Sequence, residues 1–566
     1  MPEALLPQFP IPFLKNHAVR RLQTVVLLVF ALALMLPVLA VLGAWLPWGG
    51  SGADAWEILS EMARTVLPRY LATTAALAAM VAVGAALLGA ATAAAVTLFE
   101  FRGRRTFEWL LLLPLAMPAY VTAYAYTDFL QYSGPLQVGL REAFGTAGSI
   151  YPLGLQGRLL PEVRSLGGAA WVFVFALYPY VYLLARTALG ERAAHLMEAA
   201  RLLGAPLSRR VRQVALPLAR PAIAAGVALV LMETLADFGV SSYFGIQTFT
   251  TGIYKAWLSM DNRLAAAQLA TLLLAVVVLL LWVESRAQQR MRFAAGRGGR
   301  AGSAEAQPAH LRGAHQAAAW LVCGLPVLFG FVLPVLFMLR PLALDWSVMP
   351  WDRFLQWAFN SVRLGAITAV LAVAIGLILA FASRRAPGRL TGSITALAGL
   401  GYAVPGAVVV VGLLLPIGWL QSVAPNLQAG YWITATAVGI IWAYLVRFCG
   451  VALQSLQSGY TRIPSSMDDS ARMLGASSFK LMAQIHWPLL RRSTAAAALL
   501  VFVDVMKELP ATLVLRPFNS DTLAVVAYQL ARDERLGEAA LPSLALVAVG
   551  LVPVILLSRT LRLAAR

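Results

Sequence analysis

Among the acidic residues inside long apolar runs of this 566-residue chain, four are arranged as two matching pairs, Glu233 with Asp237 and Asp504 with Glu508. Each pair is spaced i, i+4, so both carboxylates share one face of a helix. The second pair follows the first by 271 residues. An ionisable side chain in a membrane interior is expensive to hold there, which makes it a candidate for a substrate or ion pathway. Four carboxylates brought together would form a cation-attracting ring that serves sulfate or phosphate poorly. The plainer reading is internal pairing with Lys507, Arg447 or neighbouring hydroxyls, which would only hold helices together. Both readings stay open and are compatible.

The surrounding chain is 60% hydrophobic and 13% charged, against about 25% charged for a soluble protein, and its mean hydropathy is +0.73. These values describe a polytopic membrane protein. The formal charge of +19 comes from arginines clustered between apolar runs, the pattern of the positive-inside bias rather than of nucleic-acid binding. Cys323 and Cys449 fall inside apolar runs without metal or redox spacing and read as packing residues. No His or Cys metal cluster and no nucleophile with a positioned base is evident.

Apolar runs of about 20 residues predict spans near 24–46, 68–96, 107–130, 166–186, 219–245 and 264–284, then near 317–340, 361–383, 390–418, 431–457, 491–515 and 541–562. The expected fold is all-α, with about twelve transmembrane helices in two tandem halves of six related by a pseudo-two-fold axis along the membrane normal. The first half is 1–285, an Arg/Gly-rich cytoplasmic linker 286–316 follows, and the second half is 317–566. The first span is read as uncleaved. Arg102, Arg104 and Arg105 after the second span, and Arg384, Arg385 and Arg389 after the eighth, place both termini in the cytoplasm. The segment 131–165 is then periplasmic, and Pro114 and Pro118 in the third span are tolerated because neighbours satisfy the freed carbonyls.

Each acid pair is preceded by a polar island, about 187–218 and about 458–490. Glu198-Ala199-Ala200-Arg201-Leu202-Leu203-Gly204, continuing to Pro217, returns as Asp469-Ser470-Ala471-Arg472-Met473-Leu474-Gly475, continuing to Pro488. Nine of 23 aligned positions are identical, so the island is an internal repeat. Gly204 and Gly475 are suited to end a helix in a left-handed conformation, while Pro217 and Pro488 open or punctuate the next one. His195 and His486, also in these loops, read as surface residues.

This spacing resembles the cytoplasmic loop of permease subunits of bacterial ABC importers. The resemblance implies a short helix, a glycine-marked turn and a second helix seated in a cleft of an ATPase subunit. Glu198, Ala199, Ala200, Gly204, Pro217, Asp469, Ala471, Gly475 and Pro488 would then carry ATPase coupling. Asp469, Ser470 and Trp487 depart from the family pattern, which implies unequal contacts with the two ATPases.

Further runs, Tyr178-Pro179-Tyr180-Val181-Tyr182, Glu233-Thr234-Leu235-Ala236-Asp237-Phe238-Gly239 and Lys507-Glu508-Leu509-Pro510, look like the fused permeases of ferric-iron ABC importers. Thiamine, putrescine and phosphonate permeases are relatives. The resemblance implies an inner-membrane permease moving ferric iron by alternating access, with thiamine, a polyamine or another small cation as alternative cargo. It further implies two ABC ATPase subunits carrying ATP and Mg, a periplasmic substrate-binding protein, lipid around the spans and no cofactor on this chain. A hard trivalent ion suits carboxylate and phenolate oxygens, which the four acids offer with Tyr120, Tyr124, Tyr126 or Tyr402; for the tyrosines packing is the favoured reading. No Gly-Lys-Ser or Gly-Lys-Thr occurs, so the phosphate-binding loop belongs to another chain. The rival class is an ion-coupled secondary transporter, which would leave the duplicated loops unexplained.

Overall fold

The structure is a computed structural model describing residues 13–45, 52–143, 161–190, 194–296, 309–344, 346–385 and 388–564. Residues 297–308 of the expected linker, 144–160 of the expected periplasmic segment and 191–193 of the first loop lie outside them. So do the side chains of His195 and Glu198.

The described chain is helical almost throughout, and the apolar runs of the sequence fall mostly on helix. Nine helices among the described residues are long and apolar enough to cross a membrane, or ten if one bent pair counts as a single span. Two expected spans fall short of that measure for identifiable reasons. The first helix, Phe13–Gly43, is 31 residues long, but its side chains are described continuously only from Leu27. Trp487–Lys507 carries Arg491, Arg492, Asp504 and Lys507.

The third span is broken rather than merely kinked. A 3₁₀ turn at Leu113–Ala116 ends the helix Arg104–Leu110, Pro118 takes an extended conformation, and Ala119–Leu130 leaves at 88°. Pro118 cannot donate to the preceding turn and its ring disfavours helix in the residue before it. Pro405, between the 3₁₀ turn Gly401–Ala403 and the helix Gly406–Val423, has the same extended backbone.

The sixth apolar run continues as helix to Gly296, so residues 286–296 of the expected flexible linker are helical. Ala309–His310 pairs in parallel with Phe99–Glu100, and Leu311 N donates to Glu100 O at 2.9 Å. An arginine-rich amphiphilic tail can prolong a helix without a full apolar stripe, since Arg and Ala have high helix propensity.

The chain divides into two compact units that do not follow the tandem halves. One is built from residues up to Leu36 with Thr368–Tyr402 and Tyr444–Val501; the other from Pro37–Ile367, Ala403–Ala443 and Phe502–Arg566. In the larger unit Leu67–Leu98 packs along Leu166–Ala188 and Leu216–Ala236, with Ala85, Ala93, Ala222 and Ala225 fully buried. Small side chains at such crossings let helices pack closely without a hydrophobic drive from water. In the smaller unit Leu456 lies against Gly376, and Leu379, Cys449 and Leu456 are fully buried.

Candidate coupling loops and intramembrane acids

The two polar islands have the same backbone. Ala194–Leu202 and Ser465–Met473 are short helices, each followed by a glycine with positive φ, +78° at Gly204 and +76° at Gly475. Gly204 N donates to Arg201 O and Ala205 N to Ala200 O, at 2.9 and 3.0 Å; Gly475 N to Arg472 O and Ala476 N to Ala471 O repeat this, each at 3.0 Å. This paired closure satisfies the last carbonyls of a helix and needs a left-handed residue. A Cβ at either glycine would meet nothing within 4 Å. Backbone conformation, not crowding, therefore demands glycine there.

The turns present apolar tips. Leu202 and Leu203 are 83% and 87% exposed, and Met473 and Leu474, at the equivalent positions, 88% and 89%. Side chains so exposed beside a rigid turn suit insertion into a partner's cleft. Ala199 is exposed and Ala200 half-buried, whereas Ala471 is buried. Asp469 is exposed and lies 3.7 Å from Arg472.

Pro217 and Pro488 do not open new helices. Leu207–Arg210, Val211–Ala215 and Leu216–Ala236 run on with right-handed helical dihedrals at each junction, and Ser478–Lys480, Leu481–His486 and Trp487–Lys507 do the same. The wide π-helical turn just before each proline takes up the missing N–H and the ring's clash with the carbonyl one turn back. The second arm of each loop is thus continuous with the helix that carries the acids.

At the far end of those helices the second acid of each pair has a local role. Leu216–Ala236 ends at Asp237, whose Oδ1 accepts from Val240 N at 2.8 Å, at the start of the short helix Gly239–Tyr243. Trp487–Lys507 ends at Glu508, whose Oε1 accepts from Ala511 N and Oε2 from Thr512 N, each at 2.9 Å, in the short helix Pro510–Leu515. Both carboxylates cap the helix that follows a break, where otherwise unpaired N–H groups attract negative charge. Glu508 is buried at 4% exposure, and the Thr512 hydroxyl lies 2.5 Å from its Oε2. Asp237 is half-buried.

Glu233 and Asp504, the first acids, are half-buried and both act electrostatically on Lys507. The Lys507 ammonium donates to Leu115 O at 3.0 Å. Two of the four acids therefore cap helices, and the other two act electrostatically on one cation.

Of the tyrosines considered as oxygen donors, Tyr120 donates to Lys507 O at 3.2 Å and Tyr126 to Phe329 O at 2.6 Å. The Tyr124 hydroxyl is buried without a hydrogen-bond partner among the described residues, and Tyr402 is half-buried. Cys323 and Cys449 are buried free thiols.

The surface reading of His486 is corrected. Its side chain is fully buried and its Nε2 lies 2.9 Å from Asp468 Oδ1. Asp468 was not singled out in the sequence. A signal existed in the repeat itself: Asp468 and His486 align with the apolar Met197 and Ala215, an exchange of type at otherwise matching positions.

The family model of the binding-protein-dependent transport system inner membrane component matches residues 85–293 and again 372–566, so each match holds one loop and one acid pair. The chain belongs to this family. It is 25% identical over 509 residues to the Fe(3+)-transport system permease protein FbpB 2 of Haemophilus influenzae, covering 88% of this chain and 90% of the relative. It is 23% identical to the ferric transport system permease protein FbpB of Actinobacillus pleuropneumoniae, over 84% of this chain and 69% of the relative. A probable molybdenum ABC transporter permease protein of Haloferax volcanii is 28% identical over 44% of this chain and 85% of its own length. As a binding-protein-dependent permease with two family domains, the chain is a multi-pass membrane component of an ABC importer and not an enzyme. ATP is hydrolysed by a separate ATPase subunit, and a substrate-binding protein is the other partner.

Proposed function

We propose that this permease carries ferric iron from a periplasmic binding protein into the cytoplasm by alternating access, driven by two copies of an ATPase. The observation that carries the reading is the likeness to ferric permeases through both halves, over 88% of this chain. In this reading both loops and both termini face the cytoplasm. ATP-driven closure of the ATPase pair presses on the exposed tips Leu202–Leu203 and Met473–Leu474. Each push passes along an unbroken helix to an acid at its far end, because loop arm and span are one element. With about 1.5 Å rise per residue, that helix reaches roughly half to three-quarters of the way through the hydrocarbon layer. Glu233, Asp237, Asp504 and Glu508 lend the passage negative charge, which favours a cation over an oxyanion such as molybdate.

The test is reconstitution of the permease with its ATPase and binding protein in proteoliposomes, with ferric-ion uptake measured. The expected result is uptake that requires ATP and the binding protein. Uptake by this chain alone on a proton or sodium gradient would replace the reading with an ion-coupled transporter. ATP hydrolysis stimulated by thiamine, a polyamine or molybdate, but not by ferric ion, would change the cargo.

A further inference from the structure

The second loop is fastened by a buried polar network whose equivalent positions in the first loop are apolar among the described residues. Asp468, 5% exposed, receives Arg384 Nε on Oδ2 at 2.6 Å, Arg384 Nη2 on Oδ1 at 3.2 Å and His486 Nε2 on Oδ1 at 2.9 Å. His486 is 0% exposed, and its Nδ1 lies 3.3 Å from the Tyr460 hydroxyl. Nε2 donates to the carboxylate, and the Tyr460 hydroxyl, which can donate or accept, completes the ring's bonding at Nδ1. The rings of Phe381 and Tyr460 stand edge-on to it, with centroids at 5.5 and 5.2 Å.

Arg384 also donates to main-chain carbonyls: Nη1 to Tyr460 O at 3.2 Å, and Nη2 to Ile463 O and Pro464 O at 3.0 and 3.2 Å. One guanidinium thereby ties the end of Trp351–Arg385 to the end of Ala437–Tyr460 and to the start of the loop helix. Through Asp468 and His486 the same network reaches the wide turn Leu481–His486. Four elements are joined through this network, every contact directional and several charge-assisted.

At the equivalent positions of the first loop stand Leu189, Met197 and Ala215, which are buried at 4%, 7% and 1% exposure. They fill space without directional bonds, and apolar packing of this kind permits sliding that a bidentate ion pair resists.

We propose that Asp468 is a positioning residue for energy coupling, locking the second loop to its own helices so that it transmits ATPase closure as a rigid lever, while the first loop yields. The proposal rests on the reading of both loops as ATPase contacts. It assigns a mechanical inequality to the two loops that their common backbone does not reveal.

The test compares variants in permease–ATPase complexes in proteoliposomes, reading ferric-ion uptake and ATP hydrolysis together. In Asp468→Asn and His486→Gln, ions moved per ATP should fall about fivefold, as for residues that modulate coupling. Asp468→Glu should restore part of the ratio, and Met197→Leu should leave it unchanged. A merely structural role would lower uptake and hydrolysis in proportion, and that outcome, or a wild-type ratio, overturns the proposal. A normal ratio in Asp468→Asn alongside lost uptake in Gly475→Val overturns this proposal alone; wild-type uptake in Gly475→Val and Gly204→Val overturns the coupling reading beneath it. Hydrogen exchange on the unmodified permease needs neither cargo nor variant. Amides of Ser465–Met473 should exchange about tenfold more slowly than those of Ala194–Leu202, and equal rates would contradict the locked lever.

Discussion

Tyr120 and Lys507 are joined across 387 positions of chain, the phenol donating to the lysine's carbonyl oxygen at 3.2 Å. The lysine's ammonium donates in turn to Leu115 O at 3.0 Å. Pro118 has no N–H with which to continue the 3₁₀ turn back to Leu115, so Lys507 supplies the missing donor. The proline break of one half is thereby held by the acid-bearing helix of the other.

Removing either donor should loosen this junction unequally. Tyr120→Phe loses one hydrogen bond and should destabilise by about 0.5–1.5 kcal/mol. Lys507→Met strands a carbonyl and removes the cation facing Glu233 and Asp504, and should destabilise by about 1–3 kcal/mol or more. Thermal unfolding of the purified permease in one detergent checks the order; a larger effect from Tyr120→Phe would contradict it.

The two loop glycines should respond to conformation rather than size. A left-handed backbone costs an ordinary residue about 1–2 kcal/mol, and a branched side chain more. Gly204→Val and Gly475→Val should abolish uptake while the protein still inserts in the membrane. Asn tolerates the left-handed region, so Gly204→Asn and Gly475→Asn should retain much of it. Equal loss in Asn and Val variants would show that something other than φ is at stake.

Amide substitutions separate capping from charge at the membrane acids. Asp237→Asn keeps a carbonyl oxygen to accept from Val240 N, so stability should change by no more than about 1 kcal/mol, whereas Glu508→Gln turns an amide N–H on one of two buried backbone donors and should cost about 1–3 kcal/mol. If the negative charge serves a cation pathway, uptake should nevertheless fall sharply in both. Unchanged uptake would reduce these residues to helix caps.

Acid should release the second loop selectively. Burial pushes the Asp468 carboxyl up, but the hydrogen bonds from Arg384 and His486 outweigh it and hold the group below the usual carboxylate range. A carboxyl depressed on folding adds stability that is present above its unfolded value of about 3.9 and is lost as pH falls through the folded value. Melting temperature should thus decline more steeply below about pH 4 in the wild type than in Asp468→Asn. Parallel pH profiles would assign the acid sensitivity elsewhere.

Much of this architecture was legible in the sequence because the repeat exposes it twice. Glycine at the same offset in both copies foretold the left-handed turn, and the i, i+4 acids foretold equivalent stations on equivalent helices. What stayed hidden depends on who stands opposite. Nothing near Asp237 or Glu508 says that the helix stops there and turns its N–H groups on the carboxylate, although Pro510 hints at a break after Glu508. Pro217 and Pro488 punctuate the chain without interrupting it, because a π-helical turn can absorb a proline without ending the helix. His486 looked like a surface residue because its partners, Asp468 and Tyr460, lie 18 and 26 positions away. The linker was misread in part because composition registers flexibility poorly where arginine and alanine also favour helix.

The contrast between Leu189, Met197 and Ala215 in one loop and Tyr460, Asp468 and His486 in the other bears on how each can change. In the first, a substitution can be judged alone by volume, at about 0.8 kcal/mol per buried methylene. In the second, replacing one member leaves its partners buried and unpaired, so single changes should be far worse than the matching multiple ones. A saturating mutational scan of both loops would show independence in one and pairwise epistasis in the other. Two copies of one ancestral hairpin would then be drifting under different rules within a single gene.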